Sequence, residues 1–96
     1  MVRTYALSPL AEADLEAIWI YTAQEWSVDQ AEAYTGDIID VFEDIATGKK
    51  QGRRSGGREG YLSTLVGRHA IYFQIRGDVV AVIRILHQNM DVERHL

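Results

Sequence analysis

The apolar residues of this chain change their period as the sequence runs. Val2 to Leu7 is a short segment with Tyr5 and Leu7 on one side of a strand. Further on, apolar positions recur at spacings of three and four: Leu15, Ile18, Trp19 and Thr22, reaching Trp26. That spacing predicts an amphipathic helix. Ser8-Pro9 is its start, with Ser8 as cap and Pro9 at the first helical position, where its missing N–H is not needed. Glu12, Asp14 and Glu16 suit the positive end of the helix dipole. Ser27 opens a second helix, with Gln30 at capping-box spacing and a stripe of Ala31, Tyr34, Ile38, Val41, Phe42 and Ile45. Gly48 is its stop, and the short link near Trp26 predicts an antiparallel helical hairpin.

After Gly48 the helical spacing ends. Lys49 to Gly60 reads KKQGRRSGGREG, five Lys/Arg and four Gly in twelve residues. Nothing in it can build a core, which predicts a mobile loop. Three strands are predicted next: Tyr61 to Val66, His69 to Ile75 and Val79 to Leu86. Strict alternation places Ile71, Phe73 and Ile75 on one face of the middle strand, opposite Ala70, Tyr72 and Gln74. On the last strand it places Val79, Ala81, Ile83 and Ile85 on one face, and Val82, Arg84 and Leu86 on the other. Gly77-Asp78 predicts a hairpin turn, glycine supplying positive φ. The expected fold is α+β in the order β-α-α-β-β-β. The helical hairpin packs on one face of a small, mainly antiparallel sheet, leaving the other face partly open.

Size and composition fit a single domain over residues 1–96, with 47% hydrophobic and 25% charged residues. There is no cysteine, so disulfides and thiolate metal sites are excluded, and a reducing cytoplasm is expected. No apolar run approaches the roughly 20 residues that cross a bilayer, and no signal peptide is expected. Charge is segregated. Residues 1–47 carry ten acids against one base, Arg3, whereas residues 48–96 carry nine bases against four acids. The acids are read as solvating the two helices. The bases lie on a loop and strands, where binding residues concentrate.

One residue stands out in that basic half. Arg84, inside Val-Val-Ala-Val-Ile-Arg-Ile-Leu, cannot be buried cheaply without a partner, so its surroundings must be open or supply a charge. Arg68, His69, Arg84 and His87 together are a set that can hold a phosphate and move protons. The structural alternatives are a strand-end hydrogen bond for His69 and a guanidinium reaching water for Arg84. Trp19 and Tyr34 read as core, and Trp26 as packing at the helix junction. The histidines lack metal-ligand spacing and no glycine-rich phosphate loop is present, so neither a metal nor a cofactor is expected.

Four segments in order resemble ParE toxins of the RelE/ParE toxin–antitoxin superfamily: Leu7 to Trp19 (LSPLAEADLEAIW), Gln30 to Tyr34 (QAEAY), Val66 to Phe73 (VGRHAIYF) and Val82 to Asp91 (VIRILHQNMD). The resemblance covers nearly the whole chain, and the last segment is its most specific part. It implies a bacterial toxin that binds DNA gyrase and traps it in a DNA-cleavage complex without being an enzyme itself. It also implies a ParD-like antitoxin from the same operon as partner in a hetero-oligomer, operator DNA being contacted only through that antitoxin. No membrane partner is implied.

The contact expectations follow. Gyrase-contact candidates are Arg68, His69, Arg84, His87, Gln88, Asn89, Met90 and Arg94, the end of the chain being read as an exposed polar tail. Antitoxin-contact candidates are Arg53, Arg54, Arg58, Trp19, Trp26 and Tyr72, with an amphipathic acidic segment as the fitting partner. The RelE-like branch cleaves mRNA on the ribosome with basic strand residues and an aromatic acid–base group near the C-terminus. Here His87 to Met90 holds no tyrosine and Leu62 to Leu65 no Lys or Arg, so a ribonuclease would have to use Arg84 and His87. A third alternative is a divergent, non-toxic member that mainly binds antitoxin: the Lys49–Gly60 linker has no proline, and Leu62 stands where relatives often carry a basic residue.

Overall fold

A computed structural model describes residues 2–54 and 59–96. Strand β1 (Thr4–Leu7) leads into helices α1 (Pro9–Glu25) and α2 (Val28–Thr47), then strands β2 (Arg53–Arg54), β3 (Leu62–Val66), β4 (His69–Arg76) and β5 (Val79–His87), and a closing turn of helix, α3 (Val92–His95). The five strands form one sheet in the order β1-β5-β4-β3-β2, antiparallel except for β1 against β5. The α+β architecture and the helical hairpin on one sheet face agree with the sequence reading.

The helix boundaries follow from the predicted caps. Ser8 Oγ accepts from the Ala11 N–H at 3.0 Å and also donates to the Ile83 carbonyl at 2.7 Å, so one hydroxyl starts α1 and ties it to β5. Ser27 Oγ accepts from the Gln30 N–H at 3.0 Å and starts α2. Gly48, at φ 83°, ends it in the left-handed conformation that only glycine adopts without strain. Ile38, Phe42 and Ile45 of α2 and Ile18 of α1 bury against Ile71, Phe73, Val80, Val82 and Ile85. This core lies between the hairpin and one sheet face.

Three features depart from the sequence reading. The first is the face assignment on β5. Tyr72 pairs with Arg84 and Phe73 with Val82, so Ile83 is an extra residue in a β-bulge. The bulge shifts the alternation by one: Val80, Val82 and Ile85 all face the helices, while Leu86 faces away with Ala70 and Tyr72. The second is β2, inside the predicted loop. Gly52 passes so close to the Phe73 ring that a Cβ there would clash, and Arg53 and Arg54 then pair with Ser63 and Leu62. The third is the tail. Instead of a wholly exposed polar end, Val92 and Leu96 fold back onto Ala70, Tyr72 and Leu86 and cover part of the outer sheet face.

Candidate functional site

An open groove of ≈ 670 Å³ runs between the helices and the ends of β4 and β5. Ile18, Tyr21 and Thr22, spaced to share one flank of α1, form one wall together with Trp26. Arg68, His69, His87 and Met90 form the opposite wall, with Ile85 at the sheet. Tyr21 is 65% exposed and Trp26 74%. Trp26, expected to pack, instead stands at the rim of the groove.

Tyr34 of α2 organises the groove's polar centre. Its Oη lies 2.6 Å from His69 Nδ1, 3.1 Å from the Arg68 N–H and 3.3 Å from the Val66 carbonyl. The short contact fits the phenol O–H donating to Nδ1 of a neutral His69 while the phenol oxygen accepts from Arg68. The ring also packs against Gly67, at φ 55°, where a Cβ would lie 2.6 Å from Tyr34 Cε1. His69 and His87 are register partners on β4 and β5 and meet edge to face, ring centroids 5.3 Å apart. Burial pushes the His69 pKa below 6.5, with the neighbouring His87 adding to the fall and Asp14 opposing it. Burial thus favours the uncharged imidazole, which can accept a hydrogen bond from the Tyr34 hydroxyl at Nδ1.

Arg84 has a charge partner, one of the two settings its sequence context allowed. Its Nε and Nη2 donate to Asp14 Oδ2 and Oδ1 at 2.7 and 2.8 Å, a two-pronged pair. Asp14 Oδ2 also accepts from the Ile85 N–H at 3.0 Å, where β1 has ended and β5 would otherwise leave a bare edge. The Nη1 of Arg84 donates to the His95 carbonyl at 3.3 Å. The Asp14 bond raises the Arg84 pKa further. Arg84 thereby joins α1, β5 and α3 from a position beside the groove.

The remaining candidates are dispersed. Gln88 straps the β3–β4 turn, its N–H to the Arg68 carbonyl at 3.0 Å and its Nε2 to the Gly67 carbonyl at 3.3 Å. The Asn89 N–H donates to His87 Nδ1 at 3.2 Å. Arg94 is exposed and lies 3.6 Å from Asp91. Arg53 and Arg54 are exposed on β2, away from the groove, and Arg58 lies outside the described residues. Tyr72 is buried under α3, and burial raises its pKa, so it offers no surface to a partner in this conformation. Trp19 lies on the other flank of α1. No group of three or more His, Asp or Glu able to hold a metal ion occurs among the described residues.

Besides Trp26, two residues of the site were read differently from sequence. Tyr34 looked like core; the available signal was its hydroxyl, which requires a partner when half-buried. Asp14 looked like a dipole-favouring surface acid. Arg84 called for open surroundings or a charge partner, and ten acids in residues 1–47 could have supplied the charge.

Comparison with known proteins agrees with the fold. The family model for the ParE toxin of the type II toxin–antitoxin system parDE matches residues 5–92. Toxin ParE1 of Mycobacterium tuberculosis is 39% identical over the whole of both chains, and Toxin ParE1 of Caulobacter vibrioides is 36% identical over 99% of each. Among solved structures, a chain of the chromosomal ParDE system from P. aeruginosa superposes with TM-score 0.79, covering 90% of this chain and 96% of that one at 19% identity. A chain of the RelBE2 toxin–antitoxin complex from Mycobacterium tuberculosis gives 0.65, covering 92% and 100% at 16% identity. With the family model spanning residues 5–92 and full-length relatives above a third identical, the chain belongs to the ParE toxin family of type II toxin–antitoxin systems.

Proposed function

We propose that this toxin inhibits growth by binding DNA gyrase and stabilising its cleaved-DNA state, and that a ParD-like antitoxin holds it inactive through a segment seated in the groove beside α1. The observation that carries a binding role is the state of the charged residues. Arg84 is committed to Asp14, and burial favours a neutral His69, bonded to Tyr34. A ribonuclease needs a cation placed over the scissile phosphate. Of the pair Arg84 and His87, the arginine is already occupied, which weighs against that alternative.

What the groove offers is recognition chemistry. Two exposed aromatics and Met90 accept apolar side chains, and Arg68, exposed and making no ion pair among the described residues, accepts a carboxylate. An amphipathic acidic segment that orders on binding fits this surface. The solved ParDE and RelBE2 neighbours are toxin–antitoxin systems, which supports such a partner. Operator DNA is then reached through the antitoxin alone, and the working compartment is the cytoplasm.

The test is induction of this chain alone in a bacterium, scoring the DNA-damage response and mRNA integrity together. Purified toxin is assayed in parallel with gyrase and supercoiled plasmid. DNA damage with intact mRNA, and linear plasmid trapped by gyrase, is the expected result. Rapid mRNA cleavage without DNA damage would transfer the chain to the ribonuclease reading. Normal growth with abundant soluble protein would leave only the antitoxin-binding role.

A further inference from the structure

Helix α1 is apolar on two flanks. Ile18 and Tyr21 face the groove described above. Leu15 and Trp19 line a second, shallower slot of ≈ 340 Å³ with Leu7 of β1 and Thr35 and Ile39 of α2. Trp19 and Tyr21, two positions apart, point to nearly opposite flanks of α1, while Ile18 and Leu15 lie between them toward the core. Ile39 is 37% exposed and lies outside the buried core cluster. An apolar slot open between two helices can take apolar side chains of a partner.

The charge around this slot specifies what that something is. Glu12 and Glu16 of α1 are among its lining residues. On α2, Glu32 and Glu43 sit three and four residues from Thr35 and Ile39 on the same helix flank. Neither α1 nor α2 contains a Lys, Arg or His, so no cation on the helices neutralises these carboxylates. The rim therefore has the sign opposite to that of the first groove, whose free charge is Arg68. We infer that the slot between α1, α2 and β1 is a second docking site, and that it takes a basic amphipathic segment of a partner protein. Apolar side chains of that segment enter beside Trp19 while its Lys or Arg side chains meet the glutamates. A second copy of this chain is a poor occupant. Its basic stretch, Lys49–Gly60, has no apolar residue to fill the slot. The inference is independent of the antitoxin reading, which concerns the other flank of α1.

The two tryptophans separate the sites experimentally, because Trp19 lines the slot and Trp26 the first groove. Trp26→Phe and Trp19→Phe give two single-tryptophan toxins, each checked for a native unfolding transition. Each is titrated with a helical peptide of about 14 residues, four turns, carrying leucine on one face and lysine on the other. The control peptide has glutamate for lysine. The expected result is a saturable Trp19 response to the lysine peptide, little response from Trp26, and no Trp19 response to the glutamate peptide. Glu12→Gln with Glu16→Gln should weaken binding about fivefold, whereas Asp37→Asn with Asp40→Asn, the same charge change elsewhere on α2, should not. Equal Trp19 responses to both peptides, a response from Trp26 alone, or equal losses in the two double variants would overturn the inference. So would self-association that shields Trp19, which would assign the slot to a second copy.

Discussion

Asp14→Ala should destabilise the protein by about 2–3 kcal/mol, and the reason bears on function. Asp14 accepts three hydrogen bonds: two from Arg84, and one from the Ile85 N–H at the unpaired edge of β5. Removing one partner of a fully buried ion pair costs roughly 3–5 kcal/mol, because the other charge is stranded. Here the side chains of Arg84 and Asp14 are 14% and 15% exposed, so water reaches the pair and the charge penalty falls to about 2 kcal/mol. The orphaned strand N–H adds about 1 kcal/mol. Alanine's better helix propensity returns about 0.5 kcal/mol. For a domain of this size the net effect lowers Tm by about 10–20 °C.

Urea unfolding followed by far-UV circular dichroism measures the change, with m constant as evidence that the unfolded state is unaltered. The double variant Asp14→Ala with Arg84→Met separates stranded charge from lost packing. It should lose less than the sum of the two single variants, with a coupling of about 1–2 kcal/mol. An Asp14→Ala protein within about 0.5 kcal/mol of the parent would refute the reasoning. Arg84 would then not be held, and its guanidinium would be available to a nucleic acid or protein partner, which would revive the ribonuclease alternative.

Three further outcomes are expected. His69 has a folded-state pKa below its ordinary 6.5, so the unfolded chain binds the proton more readily. Its contribution to stability is full above pH 6.5 and is lost as pH falls from there through the folded pKa; His69→Asn should flatten the drop in urea midpoint between pH 7.5 and 5.5, and an unchanged drop would contradict the assignment. Gly67→Ala places a Cβ 2.6 Å from the Tyr34 ring at φ 55° and should cost about 2–3 kcal/mol by the same unfolding assay, part of it recovered when Tyr34 is also shortened to leucine. Trp26→Ala should change stability by less than about 0.5 kcal/mol, since its side chain stands in solvent, yet weaken antitoxin binding at least tenfold by calorimetry; equal binding would move the antitoxin off this groove.

The elements were legible in the sequence because their signals are local. Ser8-Pro9, Ser27 and Gly48 mark helix ends by hydrogen bonds and backbone geometry available to a few neighbouring residues, and each does so in the structure. The failures are long-range. The bulge at Ile83 exists because Ser8 and Asp14, some 70 residues earlier in the chain, capture the Ile83 carbonyl and the Ile85 N–H. A strict period of two carries no trace of that. The short β2 likewise depends on Gly52 lying against Phe73, twenty-one positions away, rather than on any strand propensity of Arg53 and Arg54.

The site was legible in proportion to how far each residue departs from its local pattern. Arg84 breaks an apolar run, so its need for open surroundings or a charge partner could be stated before Asp14 was known. Tyr34 and Asp14 break nothing: a tyrosine fits a helix stripe and an acid fits a helix start, and their roles arise from what the sheet brings to them. Trp26 shows the converse, an apolar residue at stripe spacing that the fold leaves 74% exposed. Trp26 caps the C-terminal end of α1 at the rim of the groove, where a partner can cover it. The same logic applies to Trp19 and Ile39 across α1. Residues that satisfy the helical pattern and still reach solvent are the ones whose burial the chain does not complete alone, and on the function proposed above they are where an antitoxin or another partner would bind.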